Sequence, residues 1–146
     1  MNNLNKLFES LTVSLQLEFE PSLEWDERRR GMVAEFVRFC MKELELNSAN
    51  MPYIAIMGEK RNDMTTGGYI PSQNVIRSLG KDRHPVDVCR SLAHELVHHW
   101  QYETGIIKPG QEIQDVGGPE ENEANAKAGE IVKKFTYSKG KEIYDY

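Results

Sequence analysis

Residues 91–100 read Ser-Leu-Ala-His-Glu-Leu-Val-His-His-Trp, and no other stretch constrains the chain as strongly. Within it stands His94-Glu95-x-x-His98, an H-E-x-x-H pattern. On a helix, side chains four positions apart share a face one turn apart, so both imidazoles can reach a single metal ion. Glu95 follows the first histidine and can approach a water on that ion, which is the donor set and base that metal-assisted hydrolysis needs. The pattern works only on a helix, and its surroundings predict one. Val88, Leu92 and Leu96, with Ala93, Val97 and Trp100 beside them, form an apolar stripe at helical spacing. Pro85 suits a first turn, Asp87 sits in that turn or caps it, and Gly105 is a natural stop. A helix over 85–104 is therefore expected.

The rest of the chain narrows the class. A length of 146 residues predicts one domain with a real core, and 39% hydrophobic with 28% charged residues fits a soluble globular protein. No apolar run has the length of a membrane span, and Met-Asn-Asn-Leu-Asn-Lys is not followed by the apolar core of a signal peptide, so a cytoplasmic protein is expected. The net charge is −5, and the basic run Arg28-Arg29-Arg30 is flanked by acids, which argues against nucleic acid as a partner. Cys40 and Cys89 both fall in apolar helical patterns and read as buried free thiols.

In chain order, Leu4, Leu7, Phe8, Leu11, Leu15 and Phe19 predict an amphipathic helix over 3–19, ended by Pro21, while Thr12-Val13 and the alternating end leave room for a strand. A second helix is predicted over 24–46, on Met32, Val33, Phe36, Val37, Cys40 and Leu44. Residues 53–57, 66–70 and 74–79 read as three short strands, giving a small antiparallel or mixed sheet packed on the 85–104 helix. An edge strand there could pair with an extended peptide, and Gly67 and Gly68 would let its backbone come close. Gly105 to Pro119 is a long irregular connection that could border a cleft. Pro119 opens a last helix, 119–135, acidic in its first turn and basic in its last. Ala124, Ala128 and Gly129 recur on one side of it. The tail from Tyr137 has no clear pattern.

A catalytic zinc site takes three protein ligands and keeps one position open. The cysteines have no useful spacing, His99 points about 100° away from His98, and His84 reads as a surface residue. The glutamates of the last helix, Glu120, Glu121, Glu123 and Glu130, are the candidates for the third ligand.

Here the chain resembles the zincin metallopeptidases, in particular the glutamate-liganded gluzincins, whose third ligand comes from a second helix downstream in a Glu-x-x-x-Asp pattern. Glu121-Asn-Glu123-Ala124-Asn125 matches it, with asparagine where the family has aspartate. The resemblance makes Glu121 the ligand and Asn125 a hydrogen-bond acceptor for a ligand histidine. Glu123 is the alternative; the two glutamates are about 200° apart on a helix and cannot both serve one ion. Over 67–130 the chain is also similar to small predicted metallopeptidases of tailed bacteriophages, and in layout to SprT, ImmA/IrrE and minigluzincin proteins. It lacks the zinc ribbon and basic regions of SprT proteins and the membrane helices of CAAX-processing peptidases.

The resemblance implies a single α+β, zincin-like domain over 1–146. Its parts are a helical 1–50, a three-stranded sheet in 51–80, the H-E-x-x-H helix at 85–104 and the glutamate helix at 119–135. It implies a zinc-dependent peptidase in which His94, His98 and Glu121 hold Zn²⁺, Glu95 is the general base, and a peptide or protein is the substrate. For a phage protein, the compartment would be the host cytoplasm. Tyr102, Tyr69, Tyr137 or Arg90 could stabilise an oxyanion. The competing expectation is a catalytically silent binding or regulatory module with a structural metal.

Overall fold

The structure, a computed structural model, describes residues 15–61, 66–111 and 118–146. The N-terminal helix expected over 3–19 falls mostly on residues outside this set, and its end is not helical. Leu15, Leu17 and Phe19 alternate with Gln16, Glu18 and Glu20, the two-residue period of a half-buried strand. Leu17–Phe19 is accordingly strand β1, pairing in parallel with β2, Tyr53–Met57, in the register Leu17 to Ile54. β2 pairs in parallel with β4, Val75–Leu79, and β4 pairs antiparallel with β3, Gly67–Ile70. The sheet is mixed, one of the two expected alternatives, and has four strands rather than three, in the order β1-β2-β4-β3.

Among the described residues three α-helices complete an α+β fold. Helix α1 is Glu27–Glu43, shorter at both ends than the predicted 24–46. Glu24 adopts a left-handed conformation that closes the 3₁₀ turn Pro21–Leu23, and Asp26 then caps α1 by accepting from Arg29 N–H at 2.9 Å. Helix α2 is Pro85–Glu103 and carries the H-E-x-x-H pattern. His84 is not a free surface residue; its Nδ1 caps α2 by accepting from Val86 N–H at 3.1 Å. Gly105, at φ +79, ends the chain's helical path in the left-handed region that costs glycine nothing. Helix α3 is Pro119–Lys139, one turn longer than predicted. The tail follows it as a 3₁₀ segment, Gly140–Asp145, anchored by buried Ile143.

The core lies between the helices and the sheet face that carries Ile54, Ile56 and Ile76, all fully buried. Helix α2 is central, packing on α1, α3, β3 and β4. Its stripe of Val88, Leu92, Ala93, Leu96 and Val97 is buried, so the opposite side is free to present chemistry at β3 and α3. Both cysteines are buried and unpaired in the core. No described helix is long and apolar enough to cross a membrane.

Candidate metal centre

Helix periodicity puts His94 and His98 on the same side of α2, and α3 packs against that side. His94 Nε2 lies 2.8 Å from one carboxylate oxygen of Glu121, and His98 Nε2 lies 2.9 Å from the other. The two ring nitrogens are 3.2 Å apart. His94, His98 and Glu121 thus form a group that could hold a metal ion. Two donors bound to zinc at about 2.0–2.1 Å in a tetrahedron stand about 3.3 Å apart, close to all three spacings.

Hydrogen bonding fixes how His98 faces this centre. Gln101, fully buried one turn on, donates from its amide nitrogen to Glu120 C=O at 2.8 Å and to Glu123 Oε1 at 2.9 Å. Its oxygen is therefore the atom 2.8 Å from His98 Nδ1, and that nitrogen must carry the proton it donates. In the neutral ring, Nε2 then has only a lone pair, aimed at a carboxylate. Two acceptors 2.9 Å apart need a proton or a metal ion between them. Asn125, one turn along α3 from Glu121, accepts a hydrogen bond from His94. Burial lowers the His94 pKa, against the opposing pull of the Glu121 carboxylate.

Glu95 stands beside this group. Burial pushes its carboxyl up to about 7, with nearby His98 opposing the rise and Glu121 adding to it. The backbone N–H of Tyr69 on β3 faces its carboxylate and also opposes the rise. Gly67 lets that strand lie close: a Cβ there would come within 3.1 Å of Arg77 C=O and 3.7 Å of Ser91 Cβ on α2. A cleft of 350 Å³ opens over the group, lined by Gly67, Gly68, Tyr69, Tyr102 and the four residues His94, Glu95, His98 and Glu121.

Other sequence candidates are placed elsewhere. Glu123 turns to Gln101 and Glu120 to Gln111, and among the described residues it is Glu121 that joins the two histidines. His99 is buried and apart from the centre, its Nδ1 3.0 Å from the Tyr69 hydroxyl; burial lowers its pKa, keeping the ring neutral. That hydroxyl also meets Asn74 Oδ1 at 3.3 Å and is pushed up to about 12 by burial, so it is committed to packing. Tyr137 is 87% exposed. Arg90 pairs with Asp87 at 2.7 Å beside an adjoining groove, and Tyr102 lines the cleft with no side-chain hydrogen bond among the described residues. The irregular 105–119 connection falls partly outside the described residues.

Gln101 escaped the sequence reading. The available signal was a glutamine three residues after His98, on a helix side otherwise destined for burial. Compared with protein-family models, with curated proteins and with solved structures, the chain matches none.

Proposed function

We propose that the chain is a zinc-dependent peptidase of zincin-like fold, with His94, His98 and Glu121 as ligands. The observation that carries this reading is the set of acceptor atoms turned toward one another. A single proton would satisfy only one pair of them, whereas a divalent cation satisfies all three at spacings near those of a zinc site. Two imidazoles and one carboxylate leave a coordination position open, as a catalytic rather than a structural site requires. When bound, the ion supplies Lewis-acid polarisation of a water and of the scissile carbonyl.

The chain's own residues supply the rest. Glu95, faced by Tyr69 N–H, takes a proton from the attacking water on its carboxylate and passes it to the leaving amine. Tyr102 offers a hydroxyl in the cleft that can donate to a developing oxyanion. Strand β3 is an edge strand beside the centre, and an extended peptide can lie along it through main-chain hydrogen bonds. The resemblance to gluzincins agrees with the ligand set and with Glu95 as base.

Zinc per chain, measured by elemental mass spectrometry on untagged protein, tests the ligand set. One zinc is expected, lost in Glu121→Ala and retained in Glu123→Ala; loss in Glu123→Ala alone would move the ligand. Glu95→Gln should keep its zinc and lose peptide cleavage by about 10²–10⁴-fold; undiminished cleavage would remove Glu95 from the mechanism. A chain that holds zinc yet cleaves nothing in a peptide library would be a binding or regulatory module instead.

A further inference from the structure

The depression around His94 continues beyond the cleft. Thr66, Gly67, Arg90, Ser91, Glu95 and Asn125 line a second hollow of 260 Å³ that shares Gly67, His94 and Glu95 with it. Arg90, His94 and Asn125 in turn lead into a groove of 390 Å³ between the first half of α2 and the second half of α3. Ala128, Gly129 and Val132 lie along this groove, with Lys133 and Thr136 at its far end. Open space lies beside Gly129, where a Cβ would meet nothing within 4 Å.

We propose that this groove binds a carboxylate of a peptide laid across the centre, held between Arg90 and Lys133. The proposal rests on the peptidase reading for the direction in which the peptide runs. The groove's lining holds two cations and no carboxylate, in a chain whose net charge is −5. Arg90 uses one guanidinium nitrogen on Asp87, which steadies the side chain and leaves further donors. The other lysines of α3 are engaged: Lys134 with Glu43 at 3.2 Å, Lys139 with Glu35, and Lys127 over the Trp100 ring. Among the described residues Lys133 has no such partner. It stands eight residues along α3 from Asn125, about 12 Å away at 1.5 Å per residue. That distance is the reach of about three or four extended residues, which places the carboxylate within that span of the bond cleaved. An acidic side chain and a free C-terminus present the same group, so either could fill the site.

The test presents the zinc-loaded chain with a library of octapeptides, half with free and half with amidated C-termini, and reads the cuts by mass spectrometry. Asp or Glu should be enriched at one fixed position near the cut. If the terminal carboxylate is the occupant, cuts instead fall at a fixed distance from a free C-terminus and vanish on amidation. Lys133→Glu should lower cleavage of the preferred peptides about fivefold relative to the rest, the scale of reversing one exposed ion pair. Gly129→Phe should fill the groove and abolish the preference while zinc stays bound. Cuts indifferent to acidic residues and to amidation, or a preference unchanged in Lys133→Glu, would overturn the proposal. If no peptide is cut, the peptidase reading fails and the groove is judged by binding. In that case an acetylated hexapeptide rich in Glu is titrated into the zinc-loaded chain, followed by amide NMR. Shifts at Gly129 and Thr136 that disappear in Lys133→Glu keep the groove as a carboxylate site, and their absence removes it.

Discussion

At the scale of single residues, the centre depends on a side chain that is neither ligand nor base. Gln101 joins His98 Nδ1 on α2 to Glu123 and the Glu120 carbonyl on α3, so one buried amide sets the ring's tautomer and ties the two helices together. Replacing it with leucine removes the acceptor for His98 and leaves the α3 acceptors without their donor. Zinc affinity in Gln101→Leu should fall by about 10–100-fold, read by competition with a chelating dye. Stability should fall by about 1–3 kcal/mol, read by urea unfolding of the metal-free protein. A variant that binds zinc as tightly as the native chain would show that α2 alone orients His98. The H-E-x-x-H residues were legible because their spacing is local to one helix. Gln101 was not, because its role depends on which face of α2 meets α3. The same limit applied to His84 and His99: the identity of a histidine does not reveal whether it caps a helix, fills a core or faces a metal.

At the scale of elements, strand β1 is the instructive departure. The leucines and phenylalanines of 3–19 include a helical spacing, but from Leu15 onward the alternation is strict, and β2 offers a parallel partner. Pairing with a strand some thirty-five residues away decided the matter, a non-local contact that no window of sequence contains. Helix α3 shows the converse. Its acidic start, Pro119 and basic last turn marked it correctly, and only its end moved by a turn. Gly129 is the weak point within it, exposed and without a packing contact for a side chain. Gly129→Ala should therefore stabilise the fold by about 0.5–1 kcal/mol. For a chain of this length that is about 1–4 °C in Tm, measured by calorimetry. A fall in Tm would mean that the backbone at Gly129 needs glycine for a reason beyond open space.

At the scale of the whole molecule, the core makes stability depend on alkaline pH. Burial pushes the thiol pKa of both Cys40 and Cys89 well above the usual range, and each affects the core next to α1 and α2. The folded chain keeps both protons while the unfolded chain releases them as pH passes about 8.5–9. Stability is thus complete below that range and falls above it, by up to about 1.4 kcal/mol per pH unit for each thiol. Urea midpoints between pH 7 and 10 should show this decline, and Cys89→Ala should roughly halve its slope; a flat profile would mean that the thiols are hydrated in the native state. By itself the sequence determined the helix that carries His94, Glu95 and His98, the three strands before it, and the acidic helix that follows, because each is written in a local period, a cap or a breaker. Only the tertiary structure decided the four-stranded order and which glutamate faces the histidines. It also decided that Gln101 stands behind His98 and that a basic groove runs on from the centre. Those features arise where elements distant in sequence pack together, and packing selects among faces that local patterning leaves equivalent.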